Sequence, residues 1–429
     1  MNNTDRYKIK VNDLVYVLYT VSVLYFANNG GISTAFLNND YINVVMHVVY
    51  VLIPLVLIFM NKKIQNMSYV VFIFFVLMFL VTLNRSGWSL YSTIKFAGTL
   101  LLGMFMIHTN KSEEYIMKSL FVCYLVYAFF TFVEFIDRDF YISRMLPLFN
   151  DDAGILRNAF SLGYMAGLTT HTSSNGMFLS CGILMMAVGF YLTKKRSNLI
   201  LLLIFITALL LTGKRGHLIF IIAALYLTYY FSLAGRKSAT KLYKTLVVVV
   251  VAFITLFVIV NMIPSLSVIS TRMQSALEGD DTSVIIRFEL WEIAWKNFRQ
   301  NPIFGIGWHQ FLHTLSSAVG SNREFEVHNV YLQLLCETGA VGFLIYISWF
   351  IYALKTSIDV YTKMIRSQKF TVTALRMTGF SLAFQLFFVM YCFTGNPLYD
   401  FKMSVIYYFT CGMVFRYKYL LDKNLLTVR

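Results

Sequence analysis

Apolar runs recur along the whole chain at the length of a bilayer crossing, about 17–25 residues each, and nothing else in the sequence restricts its fold as strongly. A helix satisfies all its backbone hydrogen bonds within one segment, as lipid requires, and the runs lack the two-residue alternation of outer-membrane strands. Twelve spans can be read, at 14–27, 41–60, 67–83, 90–108, 114–136, 175–193, 198–212, 217–234, 243–263, 329–354, 371–393 and 402–420. Composition agrees, with 58% of residues hydrophobic and only 13% charged, against about 25% charged in a soluble domain. The expectation is an all-α polytopic membrane protein, a single integral membrane domain over 1–429.

A formal net charge of +15 would point to nucleic acid in a soluble protein. Here most cations fall in alternate short loops: Arg6 to Lys10, Lys62 and Lys63, Lys111, Lys194 to Arg196, Arg236 to Lys244, Lys355 to Lys369, and Arg416 to Arg429. Such an excess marks the cytoplasmic side. Both termini are then cytoplasmic, the N-terminal segment reads as an uncleaved signal anchor, and no nucleic-acid partner is expected. Cys123, Cys181, Cys336, Cys392 and Cys411 lie in or at the edges of spans with no CxxC, so they read as packing residues.

The opposite side carries two long loops, 137–174 and 264–328. Loops of that length usually carry function. In the second, Val284, Phe288, Trp291, Trp295 and Phe298 recur at helical spacing, which predicts an amphipathic helix near 283–300 on the outer membrane surface or over a cavity. Asp281, Thr282 and Ser283 can cap its start, and Pro302 follows its end. Arg287 sits beside the stripe, one turn before Trp291. The tight loop Gly213 to Gly216 puts Lys214 and Arg215 on the side that the topology disfavours for cations, which invites a functional explanation.

These residues carry a resemblance. Arg287, Trp291, Asn301-Pro302-Ile303-Phe304-Gly305-Ile306-Gly307 and Phe311, followed by His328-Asn329, Tyr331-Leu332, Glu337, Gly339 and Gly342, form a pattern similar to that of the O-antigen polymerase and ligase superfamily. Thr212 to Gly216 resembles that family's short external arginine loop, and Arg157 with Gly167 to His171 resembles the segment before its central spans. The motifs cover about 155–345; residues 1–150 and 346–429 add hydropathy but no chemistry.

The resemblance implies a GT-C-like architecture in the bacterial inner membrane. The reaction it implies moves a glycan from undecaprenyl diphosphate to a sugar hydroxyl on the non-cytoplasmic face. That chemistry must neutralise a departing diphosphate and take a proton from the attacking hydroxyl. Arginine suits the first task, because its fork donates two parallel bonds to phosphate oxygens. Arg215 and Arg287 are the main candidates, with Lys214 as an assisting point charge and Arg157 behind them. His328 is the candidate base, since imidazole titrates near neutral pH and this one stands at the mouth of a span. His171 is a loose match for a substrate contact. Asn329 either orients His328, binds sugar or starts the helix; Glu337 either pairs with an arginine or lines a polar cavity. His309 and His313 are spaced for a metal but lack an obvious third ligand. No metal or other cofactor is expected.

Partners would be the lipid-linked oligosaccharide, membrane lipids, and flippase and chain-length regulator proteins. A polysaccharide polymerase, for O-antigen or capsule, is favoured over ligation of finished glycan to a lipid A core, on the Glu337 context and the long loops. A transporter of lipid-linked sugars is the alternative of another class; it predicts internal repeats and charges within spans, of which only Glu134 and Glu337 stand clear of the edges.

Overall fold

The computed structural model describes residues 17–37, 39–61, 112–233, 282–312, 326–367 and 369–423, with a few isolated positions besides. Every regular element among them is helical. We number these helices α1 (Val17–Ala27), α2 (Ile32–Leu37), α3 (Asp40–Asn61), α4 (Ser112–Ile136), α5 (Ala153–Ser161), α6 (Thr172–Thr193) and α7 (Arg196–Leu211). There follow α8 (Arg215–Ser232), α9 (Thr282–Gln300), α10 (Val330–Ser367), α11 (Val372–Tyr391) and α12 (Phe401–Asp422). Within α4, α6, α10 and α11 lie segments long and apolar enough to cross a membrane, and α1, α3, α7 and α8 contain shorter apolar helices. The chain is a polytopic membrane protein. The spans expected at 67–83 and 90–108, and most of 243–263, lie outside the described residues, as do 264–281 and 315–325 of the second long loop.

Two compact units make up the chain. The first comprises Met1–Ile64, Gly98–Lys214 and Phe401–Leu426; the second comprises Gln65–Ala97, Arg215–Asp400 and Thr427–Arg429.

In the first unit α6 and α7 form a hairpin. Lys194 closes α6 in the left-handed conformation, its N–H donating to the Phe190 carbonyl at 2.8 Å. The ring of Phe205 lies against Gly182, where a larger residue would clash with it. The 137–174 segment is built of short helical turns from Arg138 to Asp152, then α5, then an irregular run into α6. A carboxylate in the middle of the packing holds that run: Glu134 on α4 is 1% exposed and accepts the N–H of Gly167 at 2.5 Å. Asn175 ties the same run to α4, donating to Thr131 Oγ1 at 2.8 Å and to the Met165 carbonyl at 3.3 Å.

The second unit turns on a break in α10. Gly339 has φ 64° and ψ −172°, so the helical ladder fails there. Four backbone groups lose their partners at such a break, the carbonyls of Cys336 and Glu337 and the N–H groups of Ala340 and Val341. The turn after α9 replaces all four. Ile306 and Gly307 donate to the carbonyls of Cys336 and Glu337 at 3.0 and 2.9 Å, while Ala340 and Val341 donate to those of Pro302 and Ile303 at 2.8 and 3.3 Å. The Pro-x-x-Gly-x-Gly and Glu-x-Gly motifs are thus two halves of one backbone graft.

Helix α9 packs on α10 through Leu290 and Ala294, which share a core with Ile306, Phe311, Val327 and Cys336. The aromatic stripe marks a helix but not its buried face. Phe288 and Trp295 are 60% and 45% exposed, and Trp291 sits at the boundary.

Candidate active site

His328 stands just before α10 with φ 56°. A left-handed backbone costs a residue other than glycine roughly 1–2 kcal/mol, and such strain tends to collect where side chains must be aimed. His309 shares this conformation, also at φ 56°. Asn329 begins the helix: its Oδ1 accepts the N–H of Leu332 at 3.1 Å and its carbonyl accepts that of Gln333 at 2.9 Å. Of the roles open to Asn329, helix capping is the one these bonds describe.

Val327, directly before His328, is held from both sides. Its N–H donates to Gln333 Oε1 at 3.2 Å, and its carbonyl accepts from Trp291 Nε1 at 3.0 Å. Gln333 donates in turn to Glu326 and, at 3.2 Å, to Glu337 Oε1. Glu337 is 0% exposed, and its two oxygens accept the backbone N–H groups of His309 at 2.9 Å and Phe311 at 3.2 Å. It therefore fixes the loop that carries His309. The Tyr399 hydroxyl faces the same carboxylate. Burial, then the nearby charges of Glu337 and Glu326, push that phenol well above its usual range, so it stays protonated.

His309 is 3% exposed and edge-on to the rings of Trp308 and Tyr399, which stack on each other, with Nδ1 3.9 Å from Glu326 Oε1. That is ion-pair range when the imidazole is protonated. His313 lies outside the described residues. Among the described residues no group of three or more His, Cys, Asp or Glu side chains is disposed to hold a metal ion.

Two elements meet at the end of α11, and the charge of a third reaches it. On α8, two residues after Arg215, the His217 ring lies 4.6 Å from that of Tyr391. Arg287, half-buried on α9, acts electrostatically on the Tyr391 hydroxyl. At the start of α10, Val330 donates to the Cys392 carbonyl at 2.9 Å and the Tyr331 hydroxyl to the Val389 carbonyl at 2.8 Å. So the helix that opens with Arg215 and the helix that His328 precedes both meet residues 389–392, and the charge of Arg287 reaches the Tyr391 hydroxyl. Nothing in the sequence of 346–429 announced that meeting point. It has no motif, and only the approach of other elements gives it a role.

Residues 199–347 match the family model described as O-antigen ligase. The matched stretch carries most of the motifs that resemble the O-antigen polymerase and ligase superfamily. It contains Lys214, Arg215, Arg287, His328, Asn329 and Glu337, whereas Arg157 and His171 precede it. No curated protein matches the chain.

The remaining candidates lie in the first unit. Arg157 is exposed on α5. His171 caps α6, its Nδ1 accepting the N–H of Ser173 at 3.0 Å. Lys214 rests its stem against Gly176 of α6.

Proposed function

We propose that this chain transfers a glycan from polyprenyl diphosphate to a sugar hydroxyl. In the proposed step the bond from the anomeric carbon to the diphosphate oxygen breaks, and a bond from that carbon to the acceptor oxygen forms. The acceptor proton passes to His328, and polyprenyl diphosphate leaves against Arg215 and Arg287. The observation that supports this reading is that α8 and the start of α10 both meet residues 389–392 within one unit, with the bond from Trp291 on the Arg287 helix to Val327 beside His328. Two arginines answer a diphosphate better than two lysines would, because each can fork onto neighbouring oxygens.

Within that reaction class the acceptor separates two functions. A polymerase adds the chain to another lipid-linked repeat unit; a ligase delivers it to a lipid A core. The long 137–174 and 264–328 segments favour a polymerase, and the matching family model fits either function. The burial of Glu337 removes its context from the polymerase side, because a carboxylate spent on two backbone N–H groups reads no acceptor. Deleting the gene distinguishes them. Loss of a polymerase leaves single-repeat glycan, and loss of a ligase leaves long chains on the lipid carrier. Unaltered glycan in the deletion strain sinks both readings. We place the reaction on the non-cytoplasmic face of the inner membrane, with both termini cytoplasmic and without a metal.

A further inference from the structure

We propose that Trp291 and Gln333 are positioning residues for His328, acting as a clamp on both backbone polar groups of Val327. The inference rests on the reading of His328 as the base that receives the acceptor proton. Neither residue need touch substrate.

Val327 is 0% exposed, so a lost bond to its N–H or carbonyl leaves a group that water cannot reach. Gln333 takes the N–H and Trp291 the carbonyl. The amide of Gln333 has only one workable orientation. Its NH2 faces the carboxylates of Glu326 and Glu337 and its oxygen faces the Val327 N–H; a flip would oppose donor to donor and oxygen to oxygen. Glu337 is itself fixed by His309 and Phe311, so the grip on the N–H side reaches back into rigid backbone.

The carbonyl side carries different information. Trp291 lies four residues after Arg287, on the adjoining turn of α9. One bond from its indole therefore ties the helix of the cation to the residue beside the base. Direct displacement needs the leaving diphosphate and the attacking hydroxyl held in register about a single carbon, and an error of about 1 Å there can cost about 100-fold in rate. A clamp of this kind sets that spacing before substrate arrives.

Full-length protein in native membranes, supplied with polyprenyl-diphosphate-linked oligosaccharide extracted from the deletion strain, provides the test. Trp291→Phe keeps an aromatic ring for packing and removes only the N–H. Its kcat should fall about 10- to 100-fold with KM within about 2-fold, the signature of misplacement without lost binding. Gln333→Glu keeps the shape and turns a donor into an oxygen facing Glu326 and Glu337, with His309 and Tyr399 as the other titratable groups around them. Its activity should vanish at alkaline pH and return as pH falls, when the introduced carboxyl takes up a proton and donates again.

A wild-type kcat in Trp291→Phe, or a wild-type pH profile in Gln333→Glu, overturns the clamp. Should Gln333→Glu fail to accumulate, Trp291→Phe decides alone. His328→Ala is assayed beside them. If it is inactive while Trp291→Phe is normal, only the clamp falls; if it turns over normally, the role of His328 falls and the clamp with it.

Discussion

Gly305 and Gly339 make the same graft possible from its two sides. Both have positive φ, at 68° and 64°. A Cβ on Gly305 would overlap the carbonyl of Glu337 and the amide nitrogen of Thr338, and one on Gly339 would overlap the carbonyl of Ile303. Each glycine is thus required by its own backbone and by the close approach of the other chain segment.

Alanine at either position should therefore destabilise the protein by about 2–4 kcal/mol, adding a left-handed penalty to overpacking. Thermal unfolding in detergent, followed by size-exclusion fluorescence, checks this. Gly154, exposed on α5 with nothing near its missing Cβ, serves as the control and should tolerate alanine. Equal melting temperatures for Gly305→Ala, Gly339→Ala and wild type would show that the graft contributes little.

How much of this was legible in the sequence differs between elements. The 3.6-residue spacing from Val284 to Phe298 locates α9, which runs Thr282–Gln300. It leaves open which face packs on protein, because a helix in or on a membrane meets apolar surroundings from both protein and lipid, and spacing cannot tell them apart. The Pro-x-x-Gly-x-Gly and Glu-x-Gly motifs are each visible, but their mutual hydrogen bonding is tertiary and has no period to read. The spacing of His309 points only to a metal site shared with His313, because its tie to Glu326 spans two elements. Residues 391–400 carried no signal, yet Tyr399 closes the Glu337 cluster and Cys392 anchors α10.

Glu337→Gln should loosen the loop before it touches chemistry. The substitution preserves volume but turns one acceptor oxygen into an NH2 aimed at a backbone donor. Leaving a buried N–H of His309 or Phe311 unsatisfied costs about 1–3 kcal/mol. Hydrogen exchange at those amides should accelerate while exchange on α11 stays at the wild-type rate. Unchanged protection at both amides would remove Glu337 from the role of loop organiser.

The two arginines should differ from lysine in kind. Ala at Arg215 or Arg287 is expected to lower kcat by about 100- to 1,000-fold, the scale of one lost preorganised electrostatic contact. Lys at either position restores the charge but not the fork, so it should recover only part of that loss. Release of polyprenyl diphosphate measures both. Near-normal turnover in both alanine variants would mean that other cations hold the diphosphate.

Metal dependence is an independent question, because a divalent ion could neutralise the diphosphate in place of arginine. With Arg215 and Arg287 supplying that charge, elongation or ligation by purified protein should proceed without added metal. EDTA should leave the rate unchanged, and Mg²⁺ or Mn²⁺ should not raise it after dialysis. A rate abolished by EDTA and restored by one of these ions would transfer the neutralising role from the arginines to a metal.

The base assignment has its own signature in pH. An imidazole accepts a proton only when neutral, so wild-type turnover should decline on the acid side as His328 becomes charged. His328→Ala should lower kcat and flatten that acid limb, because no titrating base remains. Small exogenous imidazoles should restore part of the rate in proportion to their neutral fraction. A variant that keeps the acid limb and the kcat but binds acceptor weakly would make His328 a sugar-binding residue; the acid limb would then belong to another group, with the buried His309 beside Glu326 the first to test.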